Sequence, residues 1–142
     1  LVKEDYAWIS RTFRKSMQIF GLSILAGLAL LAVSGFFFKA WVGDSVTIPL
    51  EVSACVLLYV CSFNFANCAA YLLNGFNKIR VQIILSIVTT ILYLVVVMTF
   101  AGSHGITGIT LSMAAVYIIS GCVYTYQARL LMTRRATGIW GK

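Results

Sequence analysis

The chain has 142 residues, of which 61% are hydrophobic and only 11% charged, with a formal net charge of +7. Soluble domains carry about 25% charged residues, so this composition excludes an ordinary soluble fold. The excess of bases does not point to nucleic acid either, because the bases flank apolar runs, where they meet anionic headgroups.

Residues 1 to 16 mix Tyr6, Trp8, Ile9 and Phe13 with Lys3, Arg11, Arg14 and Lys15. That pattern suits a helix lying in the membrane interface. It equally suits a solvated segment joining an earlier span. Ile19 to Phe38 is the first run without a charge. At a rise of about 1.5 Å per residue its length matches the roughly 30 Å of a bilayer core. Ser23 and Gly27 form a small-xxx-small pair that lets a second helix approach. Phe36, Phe37, Phe38 and Trp41 mark an interface, and Trp41 to Asp44 form a turn.

Pro49 precedes the second span, about 52 to 73, at a place where its missing N–H is harmless. Glu51 complements the helix dipole there. Asn64, Asn67, Tyr71 and Asn74 project within about 80° of one another on that helix. Asn in hydrocarbon needs a partner or water. Asn74-Gly75-Phe76-Asn77 predicts a tight reversal, since Gly and Asn tolerate positive φ, and Lys78 and Arg80 follow it.

The third span, 81 to 100, carries Gln82, Ser86, Thr89 and Tyr93 within about 60°. A short turn over 101 to 105 leads to the fourth span, about 106 to 126, with Thr110, Tyr117, Gly121 and Tyr124 on one side. A basic tail with Trp140 closes the chain. Three helices thus each present a polar or small stripe. Such stripes serve either helix packing or the lining of a water-accessible cavity.

The distribution of charge predicts an orientation. Lys3, Arg11, Arg14, Lys15, Lys78, Arg80, Arg129, Arg134, Arg135 and Lys142 fall on one side of the four runs, and only Lys39 on the other. Cationic loops stay in the cytoplasm, so residues 1–16 and 127–142 are expected to be cytoplasmic.

Cys55, Cys61, Cys68 and Cys122 all lie in apolar runs, no CxxC pair occurs, and His104 is the only histidine. These cysteines read as small reduced packing residues, with no metal or other cofactor expected. No Asp or Glu lies within a span, where coupled carriers place a carboxylate. No nucleotide, zinc-protease or hydrolase motif is present. Catalytic residues are therefore not expected, and the chain does not read as an enzyme. It begins at Leu1 rather than Met and shows no signal peptide, which suggests a piece of something longer.

Tyr71-Leu72-Leu73-Asn74-Gly75-Phe76-Asn77-Lys78-Ile79-Arg80-Val81-Gln82 resembles the "LNG.gK...Q" segment of bacterial polysaccharide exporters. These are the O-antigen and capsule flippases of the multidrug/oligosaccharidyl-lipid/polysaccharide exporter superfamily. Trp41-Val42-Gly43 is similar to their "WhG" outer turn, and Gly105-Ile106-Thr107-Gly108-Ile109 to the "G..G.a" opening of a span.

The resemblance implies an all-α polytopic membrane protein. The four spans would then be the last four of a twelve-helix, two-lobed transporter, forming part of its C-terminal lobe. It implies movement of lipid-linked oligosaccharide across the bacterial inner membrane by alternating access, with membrane lipids and the remaining transmembrane helices as partners. The expected substrate-binding residues are Asn64, Asn67, Asn74, Lys78, Arg80 and Gln82. One departure stands out: no cation lies within a span to meet a pyrophosphate. The alternatives are a drug exporter of the same superfamily and a complete four-span protein, either a small exporter or a structural subunit.

Overall fold

The computed structural model describes residues 6–43 and 47–141. It is all-helical, with no strand among the described residues. Helix α1 spans Tyr6–Val42, α2 spans Leu50–Gly75, α3 spans Arg80–Met132, and a short 3-10 helix, η1, spans Gly138–Gly141. Four stretches are long and apolar enough to cross a membrane: Ala7–Val42, Leu50–Gly75, Arg80–Thr99 and Gly102–Met132.

Helix α1 runs through the amphipathic lead-in without a break, so residues 6 to 16 are neither a separate interfacial helix nor a loop. Its 37 residues extend about 55 Å, well beyond a core of about 30 Å. The first turns, which carry Arg11, Arg14 and Lys15, therefore project past the apolar region. The helix stops at Gly43, whose φ of 78° turns the backbone so that its N–H reaches the Lys39 carbonyl at 3.1 Å. Only glycine takes that conformation freely. The expected turn residue Asp44 lies outside the described residues.

Pro49 is extended (φ −60°, ψ 138°) and stands immediately before α2. Its carbonyl accepts from the Val52 and Ser53 N–H groups at 3.1 and 3.4 Å, which starts the helical ladder. At the other end the reversal is a Schellman cap. The Lys78 N–H reaches the Leu73 carbonyl at 3.1 Å, and the Asn77 N–H reaches Asn74 at 2.9 Å. Asn77 holds the left-handed conformation at φ 54°. The Asn-Gly pair read from the sequence is not the pivot, since Asn74 and Gly75 are still helical; the pivot is the asparagine two residues later.

Helix α3 contains the third and fourth spans. Its backbone leaves helical geometry inside the element at Gly105 (φ 53°, ψ −139°). The expected five-residue turn over 101 to 105 is thus compressed into one residue, with 101 to 104 still helical. The two limbs fold back on each other, so that Gln127 of the second reaches the Lys78 carbonyl beside the start of the first.

Helix α2 packs mainly on α3, burying Ser62, Ala66, Ala69 and Leu73. This i, i+4, i+7, i+11 series is one face of a helix. Gly121 of α3 sits against that face. A Cβ placed on Gly121 would come 2.6 Å from Phe65 Cε1 and 3.3 Å from Ala66 Cα. Helix α1 touches mainly α2, antiparallel to it. Phe20 meets Phe65 with ring centroids 6.0 Å apart, and Gly27 lies under Leu57. Of the small pair on α1 only Gly27 is used; Ser23 is exposed and donates to its own helix at the Phe20 carbonyl. No residue in the most apolar window of α1 is buried. Its Leu22, Leu25, Leu30 and Phe36 side chains are exposed, as suits a surface that faces lipid or further helices.

Candidate functional site: a mid-depth cavity and a basic end

The polar stripes of the third and fourth spans meet. Ser86, Thr89, Thr90 and Tyr93 from the first limb of α3 face Met113, Val116, Tyr117, Ser120 and Tyr124 from the second. Together they line a partly open cavity of about 220 Å³, near the middle of both spans. The wall has no charged side chain. Tyr117 also packs edge-on to Phe63 of α2, with centroids 5.1 Å apart, and lies 5.9 Å from the ring of Tyr59.

Three of the four serine and threonine hydroxyls of this wall are satisfied within their own helices. Thr89 Oγ1 donates to the Leu85 carbonyl at 2.7 Å, Ser86 Oγ to Ile83 at 2.9 Å, and Ser120 Oγ to Val116 at 2.9 Å. Such back-bonding lets a hydroxyl sit in an apolar setting without an interhelical partner. The stripe residues Thr110 and Gly121 do not line the cavity. Thr110 is buried and bonded to the Ile106 carbonyl at 2.8 Å, and Gly121 is the packing point against α2.

The asparagine stripe of α2 does not join this cavity. Asn64, Asn67, Tyr71 and Asn74 are centred about 150° around the helix from the face that buries Leu73. Asn64 and Asn67 are half-buried, while Tyr71 and Asn74 are exposed. Asn64 points within about 20° of Leu57, beside the α1 contact. Of the expected site residues on α3, half-buried Gln82 lies one turn above the cavity. Its Nε2 donates across to the Ala70 carbonyl of α2 at 3.3 Å, a bond that ties the two helices together.

Lys78 and Arg80 belong to a larger basic end. The antiparallel run of α1 and α2 brings Arg11, Arg14 and Lys15 to the end where α2 finishes. The return of α3 brings Arg129, Arg134 and Arg135 there too. Lys39 and Glu51 sit at the opposite end. Lys78 is half-buried and Arg80 exposed.

One residue of this end was missed in the sequence. The Gln127 side chain is fully buried, and its Nε2 donates to the Trp140 carbonyl at 3.1 Å and the Lys78 carbonyl at 3.4 Å. Its Oε1 has no partner among the described residues. The tail closes over it with Trp140 edge-on to Tyr126, ring centroids 5.4 Å apart. The available signal was an amide in the last turns of an apolar helix, but both acceptors are backbone carbonyls that no motif announces.

The cysteines are free thiols, with Cys55, Cys61 and Cys68 half-buried and Cys122 exposed. No cluster of His, Cys, Asp and Glu fit to hold a metal occurs among the described residues. No family model matches the chain, and neither a curated protein nor a solved structure matches it.

Proposed function

We infer that the chain is a four-span segment of an exporter that moves lipid-linked oligosaccharide across the bacterial inner membrane, with residues 1–16 and 127–142 cytoplasmic. The observation that carries this reading is the form of the segment 71–82. The residues that resemble the polysaccharide-exporter motif build a rigid capped turn, and that turn presents Lys78 and Arg80 at the basic end. Clustered cations suit the phosphate oxygens of a lipid carrier. In this reading Lys78 and Arg80 receive the phosphates at the cytoplasmic mouth. Asn64, Asn67 and Asn74 offer amides to the glycan on the outer face of α2, and Gln82 holds α2 to α3. The exposed apolar surface of α1 and the asparagine face of α2 are then covered by the other helices of a two-lobed, twelve-helix transporter working by alternating access.

A drug-exporting relative of the same superfamily is the second reading. It is favoured by the uncharged, tyrosine-lined cavity between the limbs of α3, which suits an apolar aromatic cargo.

The test is the double substitution Lys78→Gln with Arg80→Gln in the full-length exporter. Eight other bases of that face remain to hold the topology, so insertion is expected to be normal while export of surface polysaccharide, per unit of membrane protein, falls. Unchanged export at normal expression refutes the phosphate role. DNA upstream of the Leu1 codon is expected to encode eight more apolar spans in frame; an initiator codon immediately upstream refutes the segment reading.

A further inference from the structure

The carboxy-terminal segment is held in place by features that helix packing alone does not require. Two left-handed residues, Arg134 (φ 57°) and Gly138 (φ 59°), turn the chain back after α3. An arginine in that region is uncommon and costs about 1–2 kcal/mol relative to right-handed geometry. The turn at Arg134 is again a Schellman cap. The Arg135 N–H reaches the Leu130 carbonyl at 2.8 Å, and the Arg134 N–H reaches Leu131 at 3.0 Å. The returning segment is then pinned at Trp140 by Gln127, whose other bond goes to the Lys78 carbonyl. One buried amide therefore fixes the tail to the α2–α3 turn, and the bases of both face the same end. Tyr71 and Tyr126 are exposed at that level, as aromatic residues are at headgroup depth. The acids on this side of the sequence are Glu4 and Asp5, which precede α1.

We propose that Gln127 is a positioning residue that joins the tail to the α2–α3 turn, so that Lys78, Arg80, Arg134 and Arg135 form one site for the phosphate headgroup of an anionic phospholipid. The site requires this end to lie at a membrane surface; in the exporter reading Lys78 and Arg80 hold this lipid between cargoes and release it to the phosphates of an incoming carrier lipid. The occupant is a bilayer lipid rather than a soluble phosphate. The bases sit at the level of the aromatic residues, and a headgroup is delivered there at high local concentration.

The experiment uses the whole chain in phosphatidylcholine nanodiscs, with Trp8→Phe and Trp41→Phe so that Trp140 is the sole tryptophan. Quenching of Trp140 by brominated phosphatidylglycerol, against brominated phosphatidylcholine, gives a relative binding constant. Phosphatidylglycerol is expected to be preferred, and Arg134→Gln with Arg135→Gln to weaken that preference by up to roughly thirty-fold. Gln127→Leu, which keeps the volume but removes the donor, is expected to red-shift Trp140 emission and to lose the preference while helicity is unchanged. If Gln127→Leu does not fold, the arginine pair decides, because both arginines are exposed. An unchanged preference in the arginine variant overturns the site. A retained preference with Trp140 released overturns the positioning role. Displacement of the lipid by inorganic pyrophosphate at comparable concentration overturns the lipid as occupant.

Discussion

Gly121 and Gly27 are both glycines at a helix crossing, and the structure assigns them opposite tolerance to alanine. A Cβ on Gly27 meets only the far end of a side chain, Leu57 Cδ1 at 2.5 Å. Leucine moves such a methyl by a rotamer adjustment of about 0.5–1.5 kcal/mol or less. A Cβ on Gly121 meets the Phe65 ring, with Cε1 at 2.6 Å, and also the Ala66 Cα at 3.3 Å, which is backbone. Phe65 cannot simply swing clear, because its other side is packed by Phe20. Overpacking of this kind costs about 1–3 kcal/mol. Both substitutions gain the same helix-propensity term of roughly 1 kcal/mol, so it cancels in the comparison. Gly121→Ala is therefore expected to be less stable than Gly27→Ala by about 1–2 kcal/mol. Equilibrium unfolding in mixed micelles of graded SDS fraction measures the difference. Equal midpoints, or a more stable Gly121→Ala, would refute the packing of α2 against the second limb of α3.

Three further outcomes are expected. In a version lacking its four cysteines, Asn77→Cys should be shielded from an impermeant maleimide in intact cells and Ser103→Cys labelled; the reverse pattern overturns the orientation. Asn77→Val should lower stability by about 1–2 kcal/mol while Asn77→Gly leaves it nearly unchanged, because only the left-handed conformation closes the cap; equal thermal midpoints would count against that turn. Asn64→Ala should cost no more than about 0.6 kcal/mol, the average for interhelical hydrogen bonds in membranes, since no described residue partners its amide, and a larger loss in the same SDS titration would show a packing role.

The four apolar spans were legible because length, hydropathy and charge act over about twenty residues at a time. Gly27, Gly43, Pro49 and Glu51 could be placed from local chemistry alone. What failed was single-residue geometry. Asn74-Gly75 carries the stronger turn signal, yet the helix continues through it and Asn77 provides the reversal, since a Schellman cap places the left-handed residue after the last helical turn. The asparagine stripe was correctly assigned to one face of α2. Which neighbour that face meets depends on helix packing, and Leu73, not Asn67, turned out to point at α3. The hydroxyls of Ser86 and Thr89 stood in a stripe that suited either packing or a cavity. Their partners are carbonyls one turn back, a choice that leaves no trace in spacing. Gln127 escaped because its contacts are 13 and 49 residues away and both are backbone.

The break at Gly105 has a bearing on how the third and fourth spans can be reached at that end. Because helix continues to residue 104 and resumes at once, the connection has almost no slack. A protease needs several extended residues in its cleft, and this hairpin offers none, so digestion from that side should leave 80–132 in one piece. An inserted epitope there would force the two limbs apart, whereas seven residues of sequence separate Val42 from Leu50. Tags and cleavage sites for mapping the protein therefore belong between Val42 and Leu50.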